Sequence, residues 1–317
     1  MEIQEVTFDE FSQIFPCPFH TFGSGEFARL NMEKADQVFC LVFKDHKYRL
    51  GLTGGLRRNG FFTPFSAPHG GFVYLKEDMK IQHLDEAIDL LIDWCKTKKM
   101  EFISFTLPPD LYSPNFLAKQ VNSLFRHGFY IKDMELNHSF NLDNFNENYL
   151  SFIWHNARKN LKKALNNNLT FRLCETTEEL EKAYEIIQIN RNERGFPLNM
   201  TLSEVKETVK IIPADVFLAF NEEQAAIASA IVFHVAKGVV QVIYWGDLPR
   251  YSTLKTMNFL TYRVFEYYKN QGIKIVDIGQ STVDSIPNHG LCDFKESIGC
   301  DVSEKRTYRI ELQEANV

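Results

Sequence analysis

The residues best suited to chemistry in this chain cluster near its C-terminal end. Asp277-Ile278-Gly279-Gln280-Ser281 reads as a strand end that breaks at glycine into a polar loop. Gly290-Leu291-Cys292-Asp293-Phe294-Lys295-Glu296-Ser297-Ile298-Gly299 reads as a short helix stopped by glycine. Ends of central strands are where α/β folds place their sites. A lysine here offers a fixed positive charge to an oxyanion that forms as an acyl group is transferred. The competing reading is a surface lysine on a helix that packs Phe294 inward. His289, beside this helix, and His69, in the loop Thr63-Pro64-Phe65-Ser66-Ala67-Pro68-His69-Gly70, are the histidines best placed to take a proton from an attacking amine. Asp277 and Asp284 are further options, and substrate-assisted transfer needs no protein base.

A second cluster is basic. In Arg158-Lys159-Asn160-Leu161-Lys162-Lys163-Ala164 the pairs Arg158/Lys162 and Lys159/Lys163 are helix neighbours at i,i+4. Trp154, Ala157, Leu161 and Ala164/Leu165 form the opposite, apolar stripe. Such a face is either simply solvated or an electrostatic cradle for the phosphates of a nucleotide-linked acceptor or a tRNA end, with Arg57-Arg58 adding to it. A coenzyme A pyrophosphate would need close backbone approach between a strand and the next helix. The corresponding segment, Leu248-Pro249-Arg250-Tyr251-Ser252-Thr253-Leu254-Lys255, has no glycine after Gly246, which argues against CoA as donor. Arg250, Ser252 and Thr253 still offer phosphate contacts. Cys17-Pro18-Phe19-His20 is the one metal-like fragment and lacks a second pair nearby, so no metal site is expected.

The elements that must position these groups fall into two similar series. In the first half, Val38–Phe43, Tyr48–Leu52, Leu56–Phe62 and Gly71–Leu75 read as strands. An amphipathic helix through Leu84, Ala87, Ile88, Leu91, Ile92 and Cys95 follows, then the strand Phe102–Leu107, the helix Asn115–Arg126 ended by Gly128, and a long strand Tyr130–Phe140. In the second half, strands Val216–Phe220, Ala226–Val235 and Val239–Gly246 lead to a helix with the stripe Leu254, Met257, Leu260, Val264, Phe265 and Tyr268. The strand Ile273–Ile278, the helix Leu291–Ile298 and the strand Val302–Leu312 complete the series. Two or three helices fill Asn144–Asn192. A repeat of structure at this length predicts a duplicated α/β (α+β) domain, each copy a mixed sheet flanked by helices, with the halves at 1–144 and 145–317.

Composition narrows the classes. The chain has 317 residues, a net charge of −6 and 44% hydrophobic residues, so a basic nucleic-acid-binding domain is not the overall character. No apolar stretch approaches the roughly 18 residues of a membrane span, and the acidic Met1-Glu2-Ile3-Gln4-Glu5 is unlike a signal peptide. Six scattered cysteines without a CxxC pair fit reduced thiols in the cytoplasm.

Four motifs in order carry a family resemblance. The run GLxxFKxxxG after a D-x-G-x-S strand end is similar to the C-terminal signature of the Fem family of aminoacyl transferases. Arg158–Ala164 resembles that family's basic helix, Trp245-Gly246 with Tyr251 its W…Y segment, and Pro64–Gly71 the loop entering its acceptor cleft. The resemblance implies tandem GNAT-like domains and an acyltransferase that moves an aminoacyl or acyl group to an amine of a cell-wall or polysaccharide precursor. The implied donor is aminoacyl-tRNA or acyl-CoA, with no bound cofactor. Lys295, Phe294 and Tyr251 are then the expected catalytic residues, with Arg158, Lys162, Trp245, Gln280, Ser281, His289 and His69 on substrate. The helical arm of some family members is absent, because Leu165 passes through Asn166-Asn167-Asn168 into a strand. Two other readings remain: a ligand-binding protein without catalysis, and a CoA-dependent amino-sugar acetyltransferase.

Overall fold

The computed structural model describes residues 1–196 and 198–312. They form two compact units, Met1–Glu135 joined by the described residues from Glu304 on, and Leu136–Ser303.

In the first unit, β1 (Glu2–Val6) is followed at once by α1 (Phe8–Ile14), started by a reciprocal capping box between Thr7 and Glu10. After α2 (Gly25–Leu30), the strands β2 (Gln37–Lys44), β3 (Tyr48–Arg57) and β4 (Gly60–Thr63) form an antiparallel meander, with β5 (Val73–Tyr74) added to β3. The helix α3 (Ile81–Thr97) then crosses back to β6 (Phe102–Thr106), which pairs parallel to β4. Its stripe Leu84, Ala87, Ile88, Leu91 and Cys95 is fully buried, as the spacing predicts. Next, α4 (Pro114–Arg126) ends at Gly128, which takes φ +83° to reverse the chain into β7 (Tyr130–Asn141).

The second unit repeats the plan. After α5 (Tyr149–Phe152), α6 (His155–Leu165), β8 (Thr170–Leu173), α7 (Thr177–Glu193) and α8 (Leu202–Thr208), β9 (Ala214–Phe220), β10 (Ala226–Ala236) and β11 (Val239–Asp247) make the antiparallel meander. Then α9 (Thr256–Asn270) crosses to β12 (Ile275–Gln280), parallel to β11. A small hairpin of β13 (Thr282–Val283) and β14 (Ile286–Pro287) precedes α10 (His289–Ser297) and β15 (Asp301–Glu311). The core between this sheet and α6 and α9 holds Phe140, Leu161, Phe217, Val232, Phe259, Phe265, Tyr268 and Val276, all nearly inaccessible.

The strand that completes each sheet comes from the other half of the chain. In the first unit β15 pairs antiparallel with β6, and in the second β7 pairs antiparallel with β12. The units therefore divide at Glu135 and Ser303, where the sequence suggests one division after 144 and gives the last strand to the second half. A strand's residues state that it is a strand and not which neighbour it pairs with. One expected strand, Leu56–Phe62, is instead a hairpin. Arg58 and Asn59 both take positive φ (47° and 61°) and form the turn between β3 and β4, without the glycine that usually marks such a turn.

His69 is sealed inside the first unit rather than set at a surface. It and His20 are each 0% exposed, their rings meet edge to face at 4.9 Å, and Phe22 and Tyr112 pack around them. None of the four ring nitrogens has a hydrogen-bond partner among the described residues. Burial pushes the pKa of His20 down to about 3 and that of His69 well below its ordinary value. Both rings are thus neutral when folded, whereas the unfolded chain binds protons below about pH 6.5, so stability is full above that value and falls with pH. Urea unfolding of the whole chain should lose up to about 1.4 kcal/mol per pH unit per histidine as pH falls from about 6.5 toward 4. A flat stability between pH 7 and 5 would contradict the buried neutral pair.

Candidate functional site

The second unit's sheet opens where β11 and β12 part. They pair only at Val239↔Ile275, Val240↔Val276 and Gln241↔Asp277; beyond that rung β11 runs on to Asp247 and β12 to Gln280 without a shared ladder. The parting has a local cause. Asp277, 0% exposed, accepts from Gln241 Nε2, from Asn137 Nδ2 on β7 and from the Gly279 backbone N–H, each at 2.9 Å. The last contact is an Asx-type turn that draws the Gly279 N–H away from any neighbouring strand. It requires φ +72° at residue 279, a conformation open to glycine and strained for most other residues. The Asp-x-Gly spacing is in this way the strand's own stop signal. On β11, the pairing with β10 skips Ile243, a bulge just past the parting, and such bulges commonly re-aim groups beside sites.

Lys295 closes the other side. α10 is started by Asn288, whose side chain accepts from the Leu291 N–H at 3.1 Å, and it carries Lys295 in its last turn. The lysine is 2% exposed, and Nζ donates to the carbonyls of Gly279 (2.8 Å) and Gln280 (3.0 Å). Loss of water pushes its pKa down to about 8, against the attraction of Cys300, Asp277 and Cys292, so it is charged at neutral pH. Two of its three N–H groups are committed to these carbonyls, and the third has no acceptor among the described residues. The surface-lysine reading is therefore excluded, and Phe294 is only half-buried. The following residues are latched to β7. Ser281 donates its N–H to Leu136 O at 2.9 Å, its hydroxyl meets His138 Nδ1 at 3.0 Å, and Thr282 Oγ1 accepts from the Leu136 N–H at 2.9 Å.

Around this clamp the structure gathers several of the expected residues. Trp245 and Phe294 meet edge to face at 6.2 Å, and these two rings and Tyr251 each pack against the core of this unit. Arg250 lies over the Tyr251 ring at 5.1 Å. Gln280 is exposed at the end of β12. Others are elsewhere: His289 is exposed in the first turn of α10, Lys162 is exposed on α6 and Arg158 half-buried there, and His69 is buried in the first unit. Neither Arg158 nor Lys162 has a side-chain hydrogen bond or ion pair to a described residue. The segment ahead of α9 is a 3₁₀ turn, Pro249–Leu254, followed by Lys255 at φ 61°.

Sequence reasoning missed four residues. Asn137 and Gln241 are buried amides on different strands that converge on Asp277, and nothing local marks them. Arg191, near the end of α7, is partly buried with no acceptor for its guanidinium among the described residues. Its charge opposes that of Lys295. The next-door Asn190 donates to the Asp247 carbonyl at 2.7 Å, and a Cβ on Gly246 would lie 2.9 Å from Asn190, so glycine there lets α7 approach β11. His138 was missed as well; it is fully buried, and desolvation together with Lys295 lowers its pKa to about 4.

No family model matches the chain, and no curated protein matches it. Solved structures do. FemX is 14% identical with a TM-score of 0.70, over 98% of this chain and 97% of that one. The C-terminal domain of a putative lysylphosphatidylglycerol synthetase from Agrobacterium fabrum is 10% identical with a TM-score of 0.63, over 98% and 92%. A tandem GNAT protein from the clavulanic acid biosynthesis pathway is 10% identical with a TM-score of 0.55, over 99% of each chain. The fold is thus Fem/GNAT-like and duplicated.

If the Asp277–Lys295 clamp holds the parting open, Lys295→Met should cost roughly 2–5 kcal/mol in urea unfolding, since two carbonyls and a buried carboxylate lose their cation. Asp277→Asn should cost a similar amount. The double variant should be less than additive by about 1 kcal/mol or more, because both act on one network. Full additivity would show that the two side chains stabilise separate features.

Proposed function

Starting from the Fem/GNAT-like tandem fold, we propose that the second unit is an acyltransferase that moves an aminoacyl or acyl group onto the amine of a cell-wall or polysaccharide precursor. The observation that carries this reading is the buried, charged Lys295 held at the mouth of the β11–β12 parting, with one N–H that has no acceptor among the described residues. In the reaction the amine nitrogen attacks the carbonyl carbon of an ester or thioester, and the C=O pair moves onto oxygen. The oxyanion then re-forms C=O as the C–O or C–S bond breaks, and the amine proton passes to the leaving alkoxide or thiolate, giving the free alcohol or thiol. The remaining Lys295 donor, with main-chain N–H groups on the unpaired edge of β11, suits that oxyanion. Phe294, Trp245 and Tyr251 supply apolar walls that strengthen such electrostatics by excluding water. Arg191, without an acceptor among the described residues, adds positive potential for a carboxylate or phosphate on either substrate, while Gln280 and Ser281 line the strand end.

For the donor, the 3₁₀ turn and Lys255 ahead of α9 supply no glycine-rich cradle, which favours aminoacyl-tRNA over CoA. The exposed Lys159, Lys162 and Lys163 on α6 suit phosphates of a tRNA end or of a nucleotide-linked acceptor. All six cysteines are unpaired, in keeping with a cytoplasmic location, and among the described residues no helix is long and apolar enough to cross a membrane.

Mass spectrometry of amino-sugar and nucleotide-linked peptide acceptors, incubated with charged tRNA or acetyl-CoA, tests the reading. Aminoacylated product with charged tRNA alone is expected, and acetylated product with acetyl-CoA alone would make this an amino-sugar acetyltransferase. Ligand-induced stabilisation without any product would make it a binding protein. Per folded molecule, Lys295→Met should turn over about 10²-fold more slowly. An unchanged rate removes Lys295 from the chemistry.

A further inference from the structure

A second feature of the same unit lies where α10 ends. An open groove of about 330 Å³ is lined by Phe152, Trp154, Glu296, Gly299, Cys300, Asp301 and Val302. Phe152 (49%) and Trp154 (46%) present half-exposed rings, although Ile153 between them is buried at 3%. These rings are held in place. Phe152 sits on Gly299, where a Cβ would lie 2.7 Å from its ring, and the main-chain N–H of Trp154 donates to Ser297 O at 3.0 Å in the last turn of α10, which fixes the backbone that carries the indole.

The charged side chains that line the groove, Glu296 and Asp301, have one sign, and the buried Lys295 behind Cys300 is the nearest opposing charge. Glu296 and Asp301 make no hydrogen bond or ion pair with any Lys or Arg among the described residues, and neither Lys nor Arg lines the groove. The neighbour of Glu296 is His138 Nε2, at 3.8 Å from Oε1. That nitrogen is buried, has no hydrogen-bond partner among the described residues, and belongs to a ring that is neutral at pH 7, so it does not offset the carboxylate. The carbonyl end of α10 adds negative potential at the same place. Two aromatic faces, two unneutralised carboxylates and a helix C-terminus favour a cation, and the apolar walls favour an organic one. Among the described residues, no group of three or more His, Cys, Asp or Glu is placed to hold a metal ion.

We propose that this groove binds an organic ammonium of the size of an amino-acid side chain or an amino sugar, with the cation between Glu296 and Asp301 and its carbon skeleton against Trp154 and Phe152. This holds whether or not the second unit transfers acyl groups. The whole chain labelled with 5-fluorotryptophan gives a fluorine resonance for Trp154, assigned by its loss in Trp154→Phe. Butylammonium should shift it saturably and n-pentanol, a neutral molecule of the same shape, should not. Added sodium chloride should weaken the ammonium response, and Glu296→Gln with Asp301→Asn should weaken it about tenfold or more. Equal shifts with pentanol, a response indifferent to salt, or a shift confined to Trp245 would each overturn the proposal. The salt and pentanol comparisons use the wild-type chain, so they decide the matter even if the double variant does not fold.

Discussion

The second unit is organised around one buried carboxylate. Asp277 is removed from water, which costs several kcal/mol for an ionised group unless donors and a cation replace the lost hydration. Here Gln241, Asn137 and the Gly279 N–H supply the donors, and Lys295 supplies the nearby cation. Because the donors come from β11, β7 and β12 itself, satisfying the charge fixes three strands at one level of the sheet. It also spends the Gly279 N–H that would have continued β12's pairing. The opening in the sheet is thus a consequence of satisfying Asp277, and the residues beyond it are positioned by that requirement.

Much of the architecture was legible because each element is amphipathic with its own period. The stripe of α3 and the apolar run of β12 are visible as residue types, and Gly128 and Gly299 mark helix ends at the places where positive φ occurs. Pairing was less legible. The exchange of β7 and β15 between the two sheets depends on long-range contacts with no local signature. The β3–β4 turn was hidden because Arg58-Asn59 takes the left-handed conformation without glycine. The start of α1 was missed although Thr7 and Glu10 form a capping box, a pattern readable in sequence.

The site divides in the same way. Phe294, Lys295, Trp245 and Tyr251 stand out as motif residues, and the structure packs Trp245, Tyr251 and Phe294 each against the core of the second unit, with Lys295 in the same helix as Phe294. The environment of Lys295 was not legible, because its acceptors are backbone carbonyls and carbonyls have no residue type. Asn137, Gln241 and His138 were hidden for a related reason: single polar residues within strands look like solvent-facing positions until the opposite face is seen to be covered. Basic Arg158 and Lys162, conspicuous in sequence, lie on α6 without a side-chain partner among the described residues and owe nothing of their position to the clamp.

In the acyl transfer proposed above, the two carbonyl contacts of Lys295 would limit how it can act. An ammonium free to move could follow an oxyanion as it forms; Lys295 is restrained by two carbonyls and can offer one N–H in one direction. Restraint lowers the reorganisation that accompanies charge development, which is the main advantage of a fixed donor over water. It also makes the site intolerant, since any shift of Gly279 or Gln280 moves the donor with it. The same restraint separates the two faces of α10. Lys295 is drawn toward the parting by the strand carbonyls, while Glu296, the next residue along the helix, is left on the side of His138 and the groove. One helical step thus sets a buried positive charge next along α10 from a carboxylate that no Lys or Arg among the described residues pairs; on the two proposals above, these charges would attract a substrate anion and an organic cation to different groups.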